Sequence, residues 1–412
     1  MSMVKDLKLV KIEGLAVDHL NWIRGLAAVV VLVQHTRQHL FVNYEEVAHP
    51  NPLLSGFYLV SGFGNEAVRV FFVLSGLFIG LSVLKAMKSG RWTWRAYLIA
   101  RLTRLWLVLI PAILLCIFWD TLGMSLWGTG NYSVVEASGT SALQRFNLEH
   151  AAGNIFFLQR ITGVFGPIVG PFGSDDPLWS LSYEFWYYML FPLGLIALLS
   201  GSTYVKRVGA AALFIGIMLL VGSETSLFFL MWLTGAAVVV LPVPAFLKEG
   251  GLKVKLALAA SLIFLLATLL FSRLAKDWYP WPGFLVALAM GLFVYLLLHT
   301  AKSTSPLNVE NGQPDLYARG GKWLSGFSYT LYLVHTPVLF FFSAAYRNFS
   351  GGRLLEPTLL NISLAFGLML LILAYAYFIS RLTEAHTEET RQLVTAKLAI
   401  FWQAPVKQPT GK

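Results

Sequence analysis

Arg24 and His35 stand eleven positions apart in residues 20–41, a stretch otherwise apolar enough to cross a bilayer. Ionisable groups at membrane depth are costly, so they face a protein interior or a wet cavity and tend to mark function. On an α-helix, eleven residues close about three turns, which puts both side chains on one face about 16 Å apart along the axis. A cation near one membrane face and an imidazole deep inside suggest an elongated ligand lying along that helix.

Glu184 is the natural companion of His35. It lies in Asp176-Pro-Leu-Trp-Ser-Leu-Ser-Tyr-Glu-Phe-Trp-Tyr-Tyr, and both residues count about seven positions, or about 10 Å, from the outer ends of their candidate spans. An acid and an imidazole at matched depth offset one another if they meet. Together they make a base with an orienting partner, the arrangement that activates a hydroxyl. A purely structural pair would use the same residues. Arg101 and Arg104, in Ala-Arg-Leu-Thr-Arg-Leu-Trp, share a helix face at i, i+3, and two guanidinium forks suit phosphate groups. Arginines also flank membrane helices simply as anchors. Arg24 emerges at a similar depth, so three cations are expected around one anionic group. His335 precedes Pro337, a kink position, and either lines the cavity or packs between helices. Glu66 and Arg69 are expected to pair with each other.

The elements that must position these residues follow from composition. The chain has 412 residues, 57% hydrophobic and 13% charged, against about 25% charged in a soluble domain. The expected fold is all-α and polytopic, with about ten transmembrane helices around a central polar cavity. Windows of about 20 apolar residues centre on 21–42, 66–84, 102–122, 178–199, 208–222, 226–241, 255–273, 282–299, 323–345 and 357–379. The fifth and sixth are short and joined at 222–225, which requires a hairpin there. With the amino terminus in the cytoplasm, about 22 of the 31 Lys and Arg fall on the cytoplasmic side. That bias is the positive-inside signature and puts both termini in the cytoplasm. The net charge of +10 is therefore topology, and nucleic-acid binding is not needed to explain it. Cys116 is the single cysteine, so disulfides and thiolate metal sites are excluded, and no metal is expected. Residues 1–20 read as a cytoplasmic leader, 21–380 as the membrane domain and 381–412 as a cytoplasmic tail whose Phe401 and Trp402 anchor at the interface. The long outer loop 123–177 is placed to cover an extracytoplasmic substrate.

Five pieces, in order, carry a resemblance. They are Arg24-Gly-Leu-Ala-Ala with His35 after ten intervening residues, Phe71-Phe-Val-Leu-Ser-Gly-Leu-Phe-Ile, Arg101-Leu-Thr-Arg104, Pro177-Leu-Trp-Ser-Leu-Ser-Tyr-Glu184-Phe-Trp-Tyr, and Ser328-Tyr-Thr-Leu-Tyr-Leu-Val-His335-Thr-Pro337. The chain resembles acyltransferase family 3, integral membrane O-acyltransferases that modify bacterial polysaccharides and related molecules. The resemblance implies that an acyl group, usually acetyl from cytoplasmic acetyl-CoA, is delivered to a hydroxyl across the membrane. It implies an essential role for His35 and acyl-CoA handling by Arg101 and Arg104. Acyl-CoA is then a co-substrate and no cofactor is bound. The partners are a polysaccharide or glycoconjugate acceptor and membrane lipid, in a bacterial inner membrane. The family carries a second acid where this chain has Phe185, and often Trp where it has Val334. A transporter or flippase for a glycan precursor, or an acyltransferase acting on a small molecule or lipid, would share these buried groups. Direct and ping-pong transfer remain open.

Overall fold

A computed structural model describes residues 6–134, 139–199, 201–300 and 315–402. All the regular structure among them is helical. In lipid, each apolar run must satisfy its own backbone groups, and a helix does so within one segment. The order is α1 (Leu15–Leu40), α2 (Pro52–Val60), α3 (Gly64–Lys88), α4 (Trp94–Trp127), α5 (Leu148–Ile155), α6 (Trp179–Leu199) and α7 (Tyr204–Val238). It continues with α8 (Ala245–Glu249), α9 (Leu252–Leu274), α10 (Trp281–Thr300), α11 (Leu316–Ser325), α12 (Ser328–Ser350), α13 (Leu359–Leu382) and α14 (Thr387–Trp402). Local chemistry sets several starts. The side chains of Asn51, Thr93, Asn147 and Thr358 accept from the amides of Leu54, Ala96, His150 and Asn361, each satisfying one free N–H of a helix's first turn.

Eight helical stretches among the described residues are long and apolar enough to cross a membrane, or nine if α11 and α12 count as one broken span. These two helices meet at 50°, so the single span expected at 323–345 is bent near Gly326. The helix of the first span begins at Leu15, earlier than the boundary expected after residue 20. Arg24 therefore lies nine residues inside α1, well past its first turn. The 35-residue α7 is not straight. Gly222 has φ 85° and ψ 177°, a conformation open to glycine, and the chain reverses there. The rings of Phe214 and Phe229 lie 6.3 Å apart, and Ser226 Oγ is 3.7 Å from Met218 Sδ. In a straight helix positions 214 and 229 would be about 22 Å apart. The hairpin expected at 222–225 is formed.

The ends of the bundle can be told apart by contacts. At one end, here the leader end, Lys88 Nζ donates to Leu7 O at 2.6 Å and Val10 N to Val239 O at 3.0 Å. At the far end, Val42 N bonds Leu355 O and Gly163 N bonds Leu220 O. Helix α3 is the core element: 78% of the most apolar window in its span is buried, against 17% for the span containing α13. It packs against α1, α6, α7 and α10.

The described part of the long loop is held by buried polar contacts. Arg145 is fully buried and donates to Gly173 O from Nε and Nη2. Asp120 of α4 accepts from the backbone and hydroxyl of Ser174 at 3.0 and 2.6 Å. Tyr132 packs on Phe340 of α12, and Phe340 on His39. The side chains of the expected interfacial anchors Phe401 and Trp402, like Lys302 and residues 403–412, lie outside what is described of the structure.

The reversal at Gly222 is testable by crosslinking. With Cys116 replaced by Ala, a Phe214→Cys/Phe229→Cys pair should be joined by a short bifunctional thiol reagent, giving an intramolecular product on mass analysis. A continuous helix would leave both thiols singly modified.

Candidate active site

The two histidines singled out in sequence meet. His35 Nδ1 is 2.7 Å from His335 Nε2, with ring planes 7° apart and centroids at 5.0 Å. His335 Nδ1 lies 2.9 Å from Leu331 O. A carbonyl oxygen only accepts, so His335 carries its proton on Nδ1. In a neutral His335, Nε2 then holds a lone pair and must accept from the Nδ1–H of His35. The remaining nitrogen of His35, Nε2, is left unprotonated. The pair is thus held in one tautomer, with a free basic nitrogen on His35. Helix α12 supplies this directly: His335 reaches back one turn to the carbonyl at i−4, and Thr336 Oγ1 lies 3.2 Å from the same Nε2.

Glu184 lies elsewhere. It accepts from Ser75 Oγ at 3.1 Å and from the hydroxyl of Tyr188, while Ser75 accepts from Trp232 Nε1. Among the described residues His35 and Glu184 share no hydrogen bond. The expected pairing at matched depth is replaced by the His35–His335 pair. Depth along a helix fixes height alone; the direction a side chain faces depends on how α1 and α6 are rotated in the bundle.

What Glu184 joins is a cavity of about 460 Å³ lined by Arg24, Arg101, Arg104, Tyr188 and Tyr332. The three cations expected around one anionic group do line one space. Arg24 donates to Ser325 O at 2.9 Å, so the break between α11 and α12 anchors it. Arg101 stands over the rings of Tyr97 and Tyr188, 5.7 and 6.0 Å from their centroids, within cation–π range. Arg104 is exposed, and the space it faces is this cavity. Tyr332 is part of the cavity wall; its ring lies 6.2 Å from that of His335 and its hydroxyl is 2.8 Å from Ser180 Oγ. The histidine pair stands just behind it.

Sequence reasoning missed Glu384. It follows the last apolar window, where the chain reads as a tail. In the structure its carboxylate accepts from Thr330 N at 3.0 Å and Thr330 Oγ1 at 2.9 Å, at the start of α12, where helix amides are unpaired and favour an anion. It also interacts electrostatically with Arg104 and Arg24. Tyr332 and Ser75 were missed too, since nothing in a run of apolar and hydroxyl residues says which of them face a cavity. Glu66 and Arg69 do pair, at 3.1 Å, in a second cavity at the far end. No group of three or more His, Cys, Asp or Glu among the described residues could hold a metal ion.

The family model described as an acyltransferase domain matches residues 17–381 of this chain. No curated protein matches it, and no solved structure does.

Asp175, in the loop just before α6, is fully buried with neither carboxylate oxygen hydrogen-bonded. Burial, reinforced by Asp120 and Asp176, pushes its carboxyl well above the usual range. A group that binds its proton more tightly when folded contributes stability below its unfolded value, which is lost as pH rises toward the folded one. Asp175→Asn, a neutral near-isostere, should therefore match the wild type in thermal melts at pH 4. At pH 8 it should melt about 2 °C or more higher.

Proposed function

From the premise that the chain belongs to acyltransferase family 3, whose model spans residues 17–381, we propose that it carries an acyl group, acetyl in the first instance, from acyl-CoA to an acceptor hydroxyl on the other side of the membrane. The chain is a membrane acyltransferase. Donor, direction and acceptor are the proposal. The leader end is assigned to the cytoplasm and the far end to the outside of a bacterial inner membrane. The acceptor is assigned to an extracytoplasmic polysaccharide or glycoconjugate.

The observation that supports the donor is the arginine-lined cavity running from the leader end to Tyr332, beside the histidine pair. The nucleotide phosphates of acyl-CoA would rest on Arg24, Arg101 and Arg104, as guanidinium groups favour. Those three cations face two carboxylates, Glu184 and Glu384, so one positive charge is left for an anionic ligand. From Arg24 to His35 is about 16 Å along α1, a distance the pantetheine arm would span. The thioester would then lie by Tyr332 and Ser180.

His35 is the proposed base. Its free Nε2 would take the acceptor's hydroxyl proton as the oxygen attacks the thioester carbonyl. The C–O bond forms, the C–S bond breaks, and the leaving thiolate takes up the proton that His35 holds. His335 is a positioning residue: it fixes the His35 tautomer and stabilises the imidazolium through the Nδ1–H bond. Glu184 is proposed to hold Tyr188 and the arginines in place instead of orienting His35.

Three kinetic outcomes test these roles. His35→Ala should lower kcat by about 10²–10⁴-fold, as loss of a general base does, with the protein still inserted and monodisperse. His335→Ala should lower kcat by about 10–100-fold, as loss of an orienting partner does, with little change in KM for acyl-CoA. Glu184→Gln and Arg104→Glu should act mainly by raising KM for acyl-CoA, measured by release of free CoA thiol. A large fall in kcat for Glu184→Gln with KM unchanged would return Glu184 to the base.

A further inference from the structure

The second cavity, about 500 Å³, falls within the roughly 300–1,000 Å³ usual for small-molecule sites, and acyl-CoA binding does not use it. It opens at the far end, on the side of α3 away from the arginine-lined cavity. Phe72, buried and packed on Trp179 and Phe228, stands between the two.

Its walls are charged. Glu66 and Arg69 are both more than nine-tenths buried and paired at 3.1 Å, with Ser272 Oγ donating to Glu66 Oε1 at 3.0 Å. Glu66 Oε2 and Arg69 Nε are left without partners. Arg273 gives one bond, from Nη2 to Tyr58 O at 3.3 Å, and its buried Nε has none. The Arg160 guanidinium makes no hydrogen bond among the described residues, and its backbone has φ 60°, an uncommon conformation for a side-chain-bearing residue. Two glycines make room for this arrangement: a Cβ at Gly62 would collide with the Arg273 guanidinium, and one at Gly283 with that of Arg69.

The charges do not cancel. Arg69 offsets Glu66, and Asp176 pairs with the buried Arg145 at 3.6 Å. Arg160 and Arg273 then face Glu224 alone. Glu224 accepts from the Tyr279 hydroxyl at 3.2 Å, which burial and Glu224 itself push up to about 12, so Tyr279 stays a donor. The result is a pocket in which two guanidinium groups with unused donors outnumber the one carboxylate facing them, so they can grip an anion beside a phenol able to bond hydroxyls. The segment carrying Gly62 and Asn65 is tied to α1 one residue before His35, by Gly64 N donating to Gln34 Oε1 at 2.6 Å.

We propose that this cavity is the acceptor site and that it takes a saccharide bearing a carboxylate or phosphate beside its hydroxyls, held by Arg160 and Arg273. This rests on the acyl-transfer reading for its role but not for its existence, so binding is tested without acyl-CoA. The full chain in nanodiscs of phosphatidylcholine would be titrated calorimetrically with D-glucuronate, glucose 6-phosphate and glucose. At least one of the two anionic sugars should bind tenfold or more tighter than glucose. Arg160→Ala and Arg273→Ala should each weaken that binding at least tenfold. Arg160→Lys should recover part of it, and Arg353→Ala, an exposed charge outside the cavity, should change nothing. Equal affinity for glucose and both anionic sugars, or an equal loss in Arg353→Ala, would overturn the assignment. So would loss of sugar binding in discs containing phosphatidylglycerol, which would make a lipid headgroup the occupant. If the anionic sugar binds as expected but no acyl group moves from acyl-CoA to any acceptor, the site stands and the proposed function falls.

Discussion

Leu331 O can only accept a hydrogen bond, and that one-sidedness governs the protonation of two histidines. Because His335 spends its Nδ1–H on this carbonyl, its Nε2 is the acceptor for His35 Nδ1, and His35 keeps a bare Nε2. An imidazole alone in an apolar bundle has two usable tautomers. Here a backbone atom of α12, Leu331 O, removes one of them. Each bond in such a chain contributes about 1 kcal/mol net. Their larger effect is on geometry, since leaving either ring unpaired would cost the full desolvation of a buried polar group.

The same rule, that polar groups at membrane depth must be answered, accounts for how charge is distributed. Guanidinium groups occupy two spaces, one toward each end of the bundle, and in both they are only partly neutralised. Toward the leader end Glu184 and Glu384 share Arg24, Arg101 and Arg104. Toward the far end Glu66 and Glu224 share Arg69, Arg160 and Arg273. Phe72 and its aromatic neighbours divide the two. An apolar partition thus separates two polar rooms in one bundle.

Irregular backbone is found where it lines or supports these spaces, as membrane proteins permit. The break between α11 and α12 presents Ser325 O to Arg24 and the first amides of α12 to Glu384. The reversal at Gly222 brings Glu224 to the far-end cavity. The tail returns to the leader end because Glu384 finds unpaired amides there, a contact between positions more than fifty residues apart.

The amino-acid sequence by itself determined the class of the protein. Its excess of apolar residues dictates membrane helices, its glycine at 222 permits a reversal, and its five ordered motifs identify the family. Helical period alone put Arg24 and His35 on one face and Arg101 beside Arg104, because i, i+3 and eleven-residue spacings are fixed by 3.6 residues per turn. Only the tertiary structure decided that His35 meets His335 and not Glu184. Counting residues gives a side chain's height in the bilayer, whereas its partner depends on the rotation of each helix about its own axis. That rotation is set by packing between helices far apart in sequence, and no local pattern records it.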